Sequence, residues 1–503
     1  MSPTGSPASP TQRQGTAPRP HRPALVLLFL CTAGFVTFLD VSIVNVALPT
    51  IETELGVSQT QLQYVVTTYG MVLGGFLMLC GRLADHFGRR RMLQTGLVIF
   101  ALSSLLAGLA QDAIPLIAAR GVQGLGAAFI ATAALSLLTS TFAEGAERNR
   151  ALGAWGALSG IAAVAGVTLG GLITDGPGWR WIFFVNVPIG LLGAALAPAI
   201  VRESRSQQRH PHLNVSGAAL LTAGLILLIF ALGQSISETG SRWGSAEVLG
   251  SLAGAGILLL GFLLNQRRAT APLIPAQILQ SRALRAANLV AVLLLGTVVS
   301  LFFFASLFMQ QVLNYTPTQA GLAYLPLAIT TAAGAGIASK LVTRIAAKPV
   351  LLAGLALATF GLLLLWRLPA EGDYLTDVLP AFLLIGLGLG LSFVPVQVAA
   401  FTGIEQTESG GVAAGLINTS QEAGGALGLA VVSTVAFRRV PEPTQWAGGD
   451  PELVRAAREM VFHDAFLTGA CLLTTAFVAS LLLLPRLGPR NGAVPHPVSS
   501  ENP

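Results

Sequence analysis

The sequence predicts an all-α membrane protein whose chain crosses the bilayer many times. Of its 503 residues, 53% are hydrophobic and only 10% are charged, and the mean hydropathy is +0.69. A water-soluble globule of this size does not need so apolar a composition. A helix rises about 1.5 Å per residue, so roughly 20 apolar residues cross the hydrocarbon layer. Apolar runs of that length recur along the whole chain.

Fourteen runs are long enough to span a membrane. The stretch before Ala24 is rich in Pro, Ser and Thr and predicts a disordered tail. It is not a signal peptide, because the apolar run that follows is too long. The predicted spans are 24–48, 63–80, 92–110, 113–138, 152–173, 181–201, 213–233, 246–264, 286–311, 321–343, 349–368, 378–401, 411–436 and 464–485.

The basic residues predict the orientation, because cytoplasmic loops retain Lys and Arg. With the N-terminus inside, 21 basic residues fall on the cytoplasmic side and seven outside. Both termini are therefore expected in the cytoplasm. The pI of about 9.7 reflects this topology and not nucleic-acid binding, for which a basic soluble domain is missing from the sequence. Only two of the 29 basic residues are Lys, which suggests a GC-rich bacterial genome and a bacterial cell membrane.

An internal repeat divides the chain. Arg82 and Arg90 correspond to Lys340 and Lys348 at an offset of 258 residues, and the same offset relates AGVTLGG at 165–171 to AGGALGL at 423–429. Two related bundles around a central site are typical of secondary transporters. The predicted organisation is a cytoplasmic tail (1–23), a six-helix bundle (24–201), two inserted helices with linkers (202–285), a second six-helix bundle (286–485) and a cytoplasmic tail (486–503).

Four motifs resemble one family. GRLADHFGRRR at 81–91 and RGVQGLGAA at 120–128 resemble the loop and span-four signatures of the major facilitator superfamily. LDVSIVNVALP at 39–49 and WRWIFFVNVPIG at 179–190 resemble its fourteen-span drug:proton antiporter branch. The resemblance implies the major facilitator fold, with two six-helix bundles and two inserted helices, and export of drugs in exchange for protons. The sequence departs from the branch where Val167 follows Gly166, since a proline is usual there.

Asp40 and Arg120 are the leading proton-coupling candidates. An acid inside a transmembrane run costs roughly 3 kcal/mol on insertion scales, so it indicates a function. Counting residues along the two spans places Asp40 and Arg120 at similar depth, where an unpaired Arg is very unfavourable. A permanent pair would keep the carboxylate ionised, so we expect pairing in only some states of the cycle. Neither residue has an ionisable counterpart at the 258-residue offset. A purely structural ion pair is the alternative.

Glu422 is the competing proton-coupling candidate. It is predicted near the midplane of span thirteen, with Asn418 on the same face four residues earlier. Asn418 and Gln421 are predicted to line a substrate cavity, where they would meet a cationic substrate, unless they only hold helices together. Gln123 and Gly124 share the helix face of Arg120 and are assigned to the same cavity.

Glycines and a charged loop complete the candidate set. Gly156 with Gly160, and Gly166 with Gly170, form small-x3-small pairs that let span five pack closely on a neighbour. In the loop after span two, Asp85 can cap a helix or pair with Arg89 one turn along. The family resemblance implies that a gating loop consists of Gly81, Asp85, Gly88 and Arg89.

Three functions compete for this chain. Proton-driven export of small amphipathic or cationic, drug-like molecules is the first, and proton-coupled uptake or facilitated transport of a nutrient or metabolite is the alternative. A membrane enzyme is third, because the sequence has no metal-binding HExxH or nucleophile Gly-x-Ser-x-Gly pattern. No phosphate loop is present for ATP, so we expect an ion gradient as the energy source, with no cofactor or metal. His210 and His212 are read as solvated loop residues, and we expect a monomer.

Overall fold

The computed structural model is helical along almost all of its described length. It describes residues 22–205, 214–237, 240–269, 272–275, 278, 280–369, 372–402, 406–438 and 451–485. Almost all of the two predicted tails, together with His210 and His212, lies outside these ranges. The helices preceding the insertion are α1 Pro23–Leu55, α2 Gln59–Phe87, α3 Arg89–Gly108, α4 Ala113–Thr141, α5 Ala146–Asp175, α6 Trp181–Phe184 and α7 Asn186–Ile200.

The insertion is a helical hairpin. Helices α8 (Val215–Gln234) and α9 (Ala246–Arg268) pack on each other. Between them β1 (Ile236–Ser237) pairs antiparallel with β2 (Gly240–Ser241), a short hairpin that the apolar pattern did not predict. The remaining helices are α10 Arg282–Gln311, α11 Pro317–Ala323, α12 Leu325–Ile345, α13 Ala347–Leu365, α14 Leu379–Phe401, α15 Gln406–Phe437 and α16 Pro451–Leu483, with a π-helical turn at Tyr374–Val378.

Twelve helical segments of the described residues are long and apolar enough to cross a membrane. Helices α5 and α15, of 30 and 32 residues, are not among them but pack inside the same bundles. The fourteen-span topology therefore stays a prediction. Helix α16 begins at Pro451, well before the predicted span at 464. The apolar pattern did not predict its first turns, because they carry Arg455 and Arg458.

Local signals set the boundary between α2 and its neighbours. Ser58 and Gln61 form a capping box at the start of α2, in which each side chain accepts a hydrogen bond from the other residue's backbone N–H. Gly88 ends α2 with φ +108°, a conformation that favours glycine, and α3 starts at once. The end of the molecule at which α2 meets α3 is called the Gly88 end below.

The helices pack as two copies of one pattern. Helix α1 packs on α5, α2 on α4, and α3 on α4 and α7; correspondingly α10 packs on α15, α12 on α14, and α13 on α14 and α16. The internal repeat of the sequence is therefore present in the packing. Between the two bundles, α5 packs on α12 and α2 on α15. The inserted α8 contacts both α2 and α15.

Glycines of α5 lie where this helix touches its neighbours. A Cβ on Gly166 would overlap the side chain of Ser42 on α1, and one on Gly170 would lie 3.2 Å from Ile43. Gly156 instead faces Phe393 of α14 in the other bundle, at an ordinary 3.4 Å. The surroundings of Gly160 lie outside the part of the structure that is described. The two glycine pairs of α5 therefore do not share one neighbour.

Candidate functional site

The carboxylate of Asp40 is buried and accepts three hydrogen bonds. Its Oδ2 accepts from Arg120 Nη1 at 2.5 Å. Its Oδ1 accepts from Gln123 Nε2 at 2.8 Å and from Asn186 Nδ2 at 3.0 Å. Asp40 and Arg120 are 0% and 1% exposed, so neither charge meets solvent. Three donors, one of them charged, fix the position of the carboxylate in this state.

Arg120 is held on several sides besides Asp40. Its Nη1 also donates to Gln123 Oε1 at 2.6 Å, and its Nε donates to the carbonyl oxygen of Val65 at 3.1 Å. The guanidinium lies over the ring of Tyr69, 4.3 Å from the ring centroid. Such cation–π contacts contribute about 0.5–2 kcal/mol when they are desolvated. The guanidinium is therefore fixed in orientation as well as neutralised.

The network joins five helices of the first bundle. Asp40 comes from α1, Arg120 and Gln123 from α4, and Asn186 from α7. Helix α3 contributes Ser104, whose Oγ accepts from Gln123 Nε2 at 2.8 Å. The ring of Tyr69 adds α2, and its hydroxyl donates to the carbonyl of Thr37 at 3.3 Å. A movement of any one of these helices would disturb the pair.

Two predicted cavity residues lie against neighbouring helices in this structure. Gln123 is 0% exposed and belongs to the Asp40 network. Gly124 lies against α2, because a Cβ there would be 2.5 Å from the backbone oxygen of Tyr69. Their place in a substrate cavity stays a prediction.

Sequence reasoning missed three members of the network: Ser104, Asn186 and Tyr69. Asn186 was recognisable, since an Asn stands alone in the apolar run WIFFVNVPIG and a buried amide in a membrane needs a partner. Ser104 and Tyr69 had no comparable signal, because Ser and Tyr are common in transmembrane helices. Their role depends on which side of α3 and α2 faces α4.

Glu422 has a different environment from Asp40. It lies 16 residues into α15, about 24 Å from the Gly88 end. The residue keeps accessible surface, and no hydrogen-bond or ion-pair partner is found for it among the described residues. Asn418, one turn earlier, is 8% exposed and its Nδ2 also lacks a described partner. Gln421 keeps accessible surface as well.

The two acids therefore differ in the same structure. One carboxylate is saturated with donors and closed to solvent, whereas the other is half-buried and has no hydrogen-bond or ion-pair partner among the described residues. An acid at such depth is costly unless it is protonated, paired or hydrated. Glu422 therefore lies outside the hydrogen-bond network of Asp40.

The residues predicted to form a gating loop lie at the Gly88 end, where the two bundles meet. Asp85 Oδ1 accepts from Arg89 Nη2 at 2.8 Å and from the backbone N–H of Gly411 at 2.9 Å, and its Oδ2 accepts from the N–H of Val412 at 3.0 Å. Asp85 is 3% exposed and Arg89 is 0% exposed. Gly411 and Val412 belong to α15, so one carboxylate closes the interface between the bundles.

Close backbone contact surrounds this carboxylate. A Cβ on Gly81 would overlap the carbonyl of Gly411, and one on Gly411 would overlap Gly81 in return. Glu203, which follows α7, accepts from the backbone N–H of Arg90 at 3.0 Å. The four residues that the sequence assigned to the gating loop therefore lie where α2 meets α15 and at the start of α3.

Comparisons with known proteins show the family of this chain. A family model described as Major Facilitator Superfamily matches residues 30–429. The chain belongs to the major facilitator superfamily. It is 38% identical to the puromycin resistance protein of Streptomyces alboniger, over 84% of this chain and 83% of that protein. It is also 38% identical to the cephamycin export protein of Amycolatopsis lactamdurans, over 81% and 84% of the two chains.

Further similarity extends across the superfamily. The lincomycin resistance protein of Streptomyces lincolnensis is 34% identical, over 86% of this chain and 88% of that protein. The crystal structure of the human organic anion transporter superposes with a TM-score of 0.63 at 16% identity, over 92% of this chain and 100% of that chain. This superposition shows that the two proteins share a fold. The chain is a multi-pass membrane transporter of the superfamily and not an enzyme.

Proposed function

We propose that this superfamily member exports amphipathic, drug-like small molecules and that protons entering the cell drive the export. Its relatives, at 34–38% identity over most of each chain, are named for resistance to, or export of, antibiotics. A proton gradient suffices as the energy source, since about 100 mV supplies roughly 2.3 kcal/mol per charge. No cofactor enters this scheme.

The contrast between the two buried acids supports a division of roles. Glu422 is accessible and lacks described partners, so it is the exchange site at which a proton and a cationic substrate compete. Asp40 is saturated by Arg120, Gln123 and Asn186, so its pairing stabilises one state of the bundle. Protonation of Asp40 requires those bonds to break, which couples it to helix movement. Asn418 and Gln421 supply neutral polar groups beside the exchange site.

The orientation follows from the basic residues. Arg82, Arg89, Arg90 and Arg91 lie at or near the Gly88 end, so this end is assigned to the cytoplasm of a bacterial cell, with both termini inside. Asp85 then closes the cytoplasmic side in this structure. Opening this side requires the Asp85 carboxylate to leave the backbone of α15. The protein works as a monomer in this scheme, because one chain holds both bundles.

Transport of ethidium, an amphipathic cation, tests the proposal. Cells that express the chain should accumulate less ethidium than vector controls, and an uncoupler should remove the difference. In proteoliposomes with an imposed pH gradient, Glu422→Gln should abolish gradient-driven transport. The matched control is Glu247→Gln, which changes a half-exposed acid paired with Arg242. Higher ethidium accumulation in expressing cells would indicate uptake, and normal coupling in Glu422→Gln would reject the exchange site.

A further inference from the structure

We propose that the inserted helix α8 is a lateral door, through which amphipathic molecules dissolved in the bilayer reach Glu422. The inference rests on the proposed export function only for the identity of the transported molecule. Access of a lipid-soluble reagent to Glu422 tests it without any transport. The two inserted helices otherwise have no part in the function described above.

The hairpin α8–α9 forms a wall between the bundles and the lipid. Helix α8 contacts α2 of the first bundle and α15 of the second on one side, and α9 on the other. Helix α9 exposes large apolar side chains, including Leu249, Ile257 and Leu260 at 54%, 72% and 58%. A face of this composition suits contact with acyl chains. Helix α8 therefore stands between a lipid-facing helix and the seam where the two bundles meet.

Only glycine separates Glu422 from α8. A Cβ on Gly74 of α2 would lie 2.6 Å from Cδ1 of Ile229 on α8 and 3.4 Å from Cβ of Glu422 on α15. At the neighbouring Gly75, a Cβ would lie 2.5 Å from Cγ1 of Ile226. Two adjacent glycines thus let α8 lie against the backbone of α2 at the level of the acid.

The three groups lie at one depth. Counted from the Gly88 end of their helices, Gly74 is about 20 Å away, Ile229 about 21 Å and Glu422 about 24 Å. For Gly74 and Glu422 this is close to the middle of their helices, which have 29 and 32 residues. A carboxyl here that has no described partner needs a cover on its lipid side. Helix α8 is that cover.

The attachments of α8 show which contact can open. Trp243, in the turn before α9, donates from Nε1 to Thr434 Oγ1 of α15 at 2.5 Å. At the other end, Asn214 Nδ2 donates to Asn265 Oδ1 at 2.7 Å, which joins the two helices of the hairpin. Among the described residues no side-chain hydrogen bond joins α8 to α2. The hairpin is thus tied to α15, and the apolar contact of Ile226 with Gly75 is the one that separates when α2 moves.

A reversible disulfide across that contact tests the door. Because Cγ1 of Ile226 is one bond from its Cβ, the two Cβ atoms in Gly75→Cys with Ile226→Cys lie at most about 4 Å apart, within the range of about 3.5–4.5 Å for a disulfide. The background replaces Cys31, Cys80 and Cys471 by alanine. The matched control is Gly224→Cys with Leu259→Cys, a disulfide inside the hairpin, where a Cβ on Gly224 lies 2.9 Å from Cγ of Leu259.

The readout is carbodiimide labelling of Glu422 in proteoliposomes, measured by mass spectrometry of the peptide that carries it. Oxidation of the door pair should slow labelling by lipid-soluble dicyclohexylcarbodiimide about tenfold or more, as expected when one element gates access. Labelling by a water-soluble carbodiimide should not change, and a reductant should restore the first rate. The hairpin disulfide should leave both rates unchanged, and Glu422→Gln should remove the label.

Three results would overturn the proposal. Equal labelling by the lipid-soluble reagent in oxidised and reduced protein, or no labelling in either, would show that Glu422 is not reached past α8. An equal slowing of both reagents would show that the disulfide only hinders movement of the bundles. Failure of the export function appears separately, as ethidium accumulation in expressing cells that equals or exceeds that of vector controls, and leaves the labelling result intact.

Discussion

Replacement of Asp85 by Asn should open the Gly88 end of the transporter. The carboxylate accepts backbone hydrogen bonds from Gly411 at 2.9 Å and from Val412 at 3.0 Å, and both bonds cross the interface between the bundles. Asn has the shape of Asp but only one acceptor oxygen. Its NH2 group would face one of the two backbone N–H groups and cannot accept a hydrogen bond from it. The bond to Arg89 lies within one bundle, so its weakening affects the open and closed states alike.

The magnitude follows from the bond that is lost. A hydrogen bond to a charged group contributes about 1.5–3 kcal/mol. Loss of one such bond from the closed state alone shifts the equilibrium toward the open state by roughly 10- to 150-fold, since about 1.4 kcal/mol is a factor of ten. The remaining backbone bond also loses its charge, which places the expected shift in the upper part of that range.

Cysteine accessibility measures the shift. Met78 is 1% exposed and lies in the seam between α2 and α15, where its Sδ would be 3.4 Å from a Cβ on Gly415. In a background with the three native cysteines replaced by alanine, Met78→Cys should react slowly with N-ethylmaleimide. Asp85→Asn should raise this rate by one to two orders of magnitude, following the population of the open state.

A matched change controls for the loss of an acid. Asp112 precedes α4 at the opposite end, is exposed and makes no side-chain capping bond, so Asp112→Asn should leave the labelling rate unchanged. An Asp85→Asn rate equal to that of the parent protein would refute the reasoning. It would mean that backbone packing around Gly81 and Gly411 keeps this end closed without the carboxylate.

Three further outcomes test other contacts. Tyr69→Phe should keep proton-driven transport, whereas Tyr69→Leu should reduce it several-fold because the ring under Arg120 is lost, at about 0.5–2 kcal/mol; equal transport rates in the two variants would exclude the ring contact. Asn186→Leu should lower the unfolding temperature of purified protein, since it removes a bond to a buried carboxylate that contributes about 1.5–3 kcal/mol; an unchanged temperature would show that the bond is not needed. Gly428→Leu should reduce the amount of protein in the membrane on an immunoblot, because its Cβ would overlap Gly296 of α10, while Gly256→Leu, with open space around it, should not; equal amounts would contradict the packing.

Much of the fold was predictable because a membrane constrains sequence strongly. Backbone groups must be satisfied within helices, so long apolar runs indicate spans directly. The 258-residue repeat predicted two related bundles, and the paired packing of α1 on α5 and of α10 on α15 shows the same relation. The start of α16 was missed because its first turns are charged. The β1–β2 turn was missed because two-residue strands leave no periodic pattern.

The candidate site was predictable only for its charges. Asp40 and Arg120 are conspicuous because charges in an apolar run are expensive, and counting along the spans gave both a similar depth. Gln123 was assigned to a cavity because helical periodicity places it on the face of Arg120. Periodicity does not tell whether that face meets water or another helix. In the structure it meets Asp40 and Ser104.

The sequence by itself determined the membrane class, the two related halves and the charged residues that lie within apolar helices. Composition, run length and motif spacing are properties of the chain, and the bilayer acts on them directly. Only the tertiary structure decided which acid accepts hydrogen bonds and which does not, because this depends on side chains of α4 and α7 donating to Asp40 and on the lack of a hydrogen-bond or ion-pair partner for Glu422 among the described residues. It also decided that two adjacent glycines bring α8 next to Glu422. Contacts between helices depend on rotation and tilt, which the pattern of a single span does not specify.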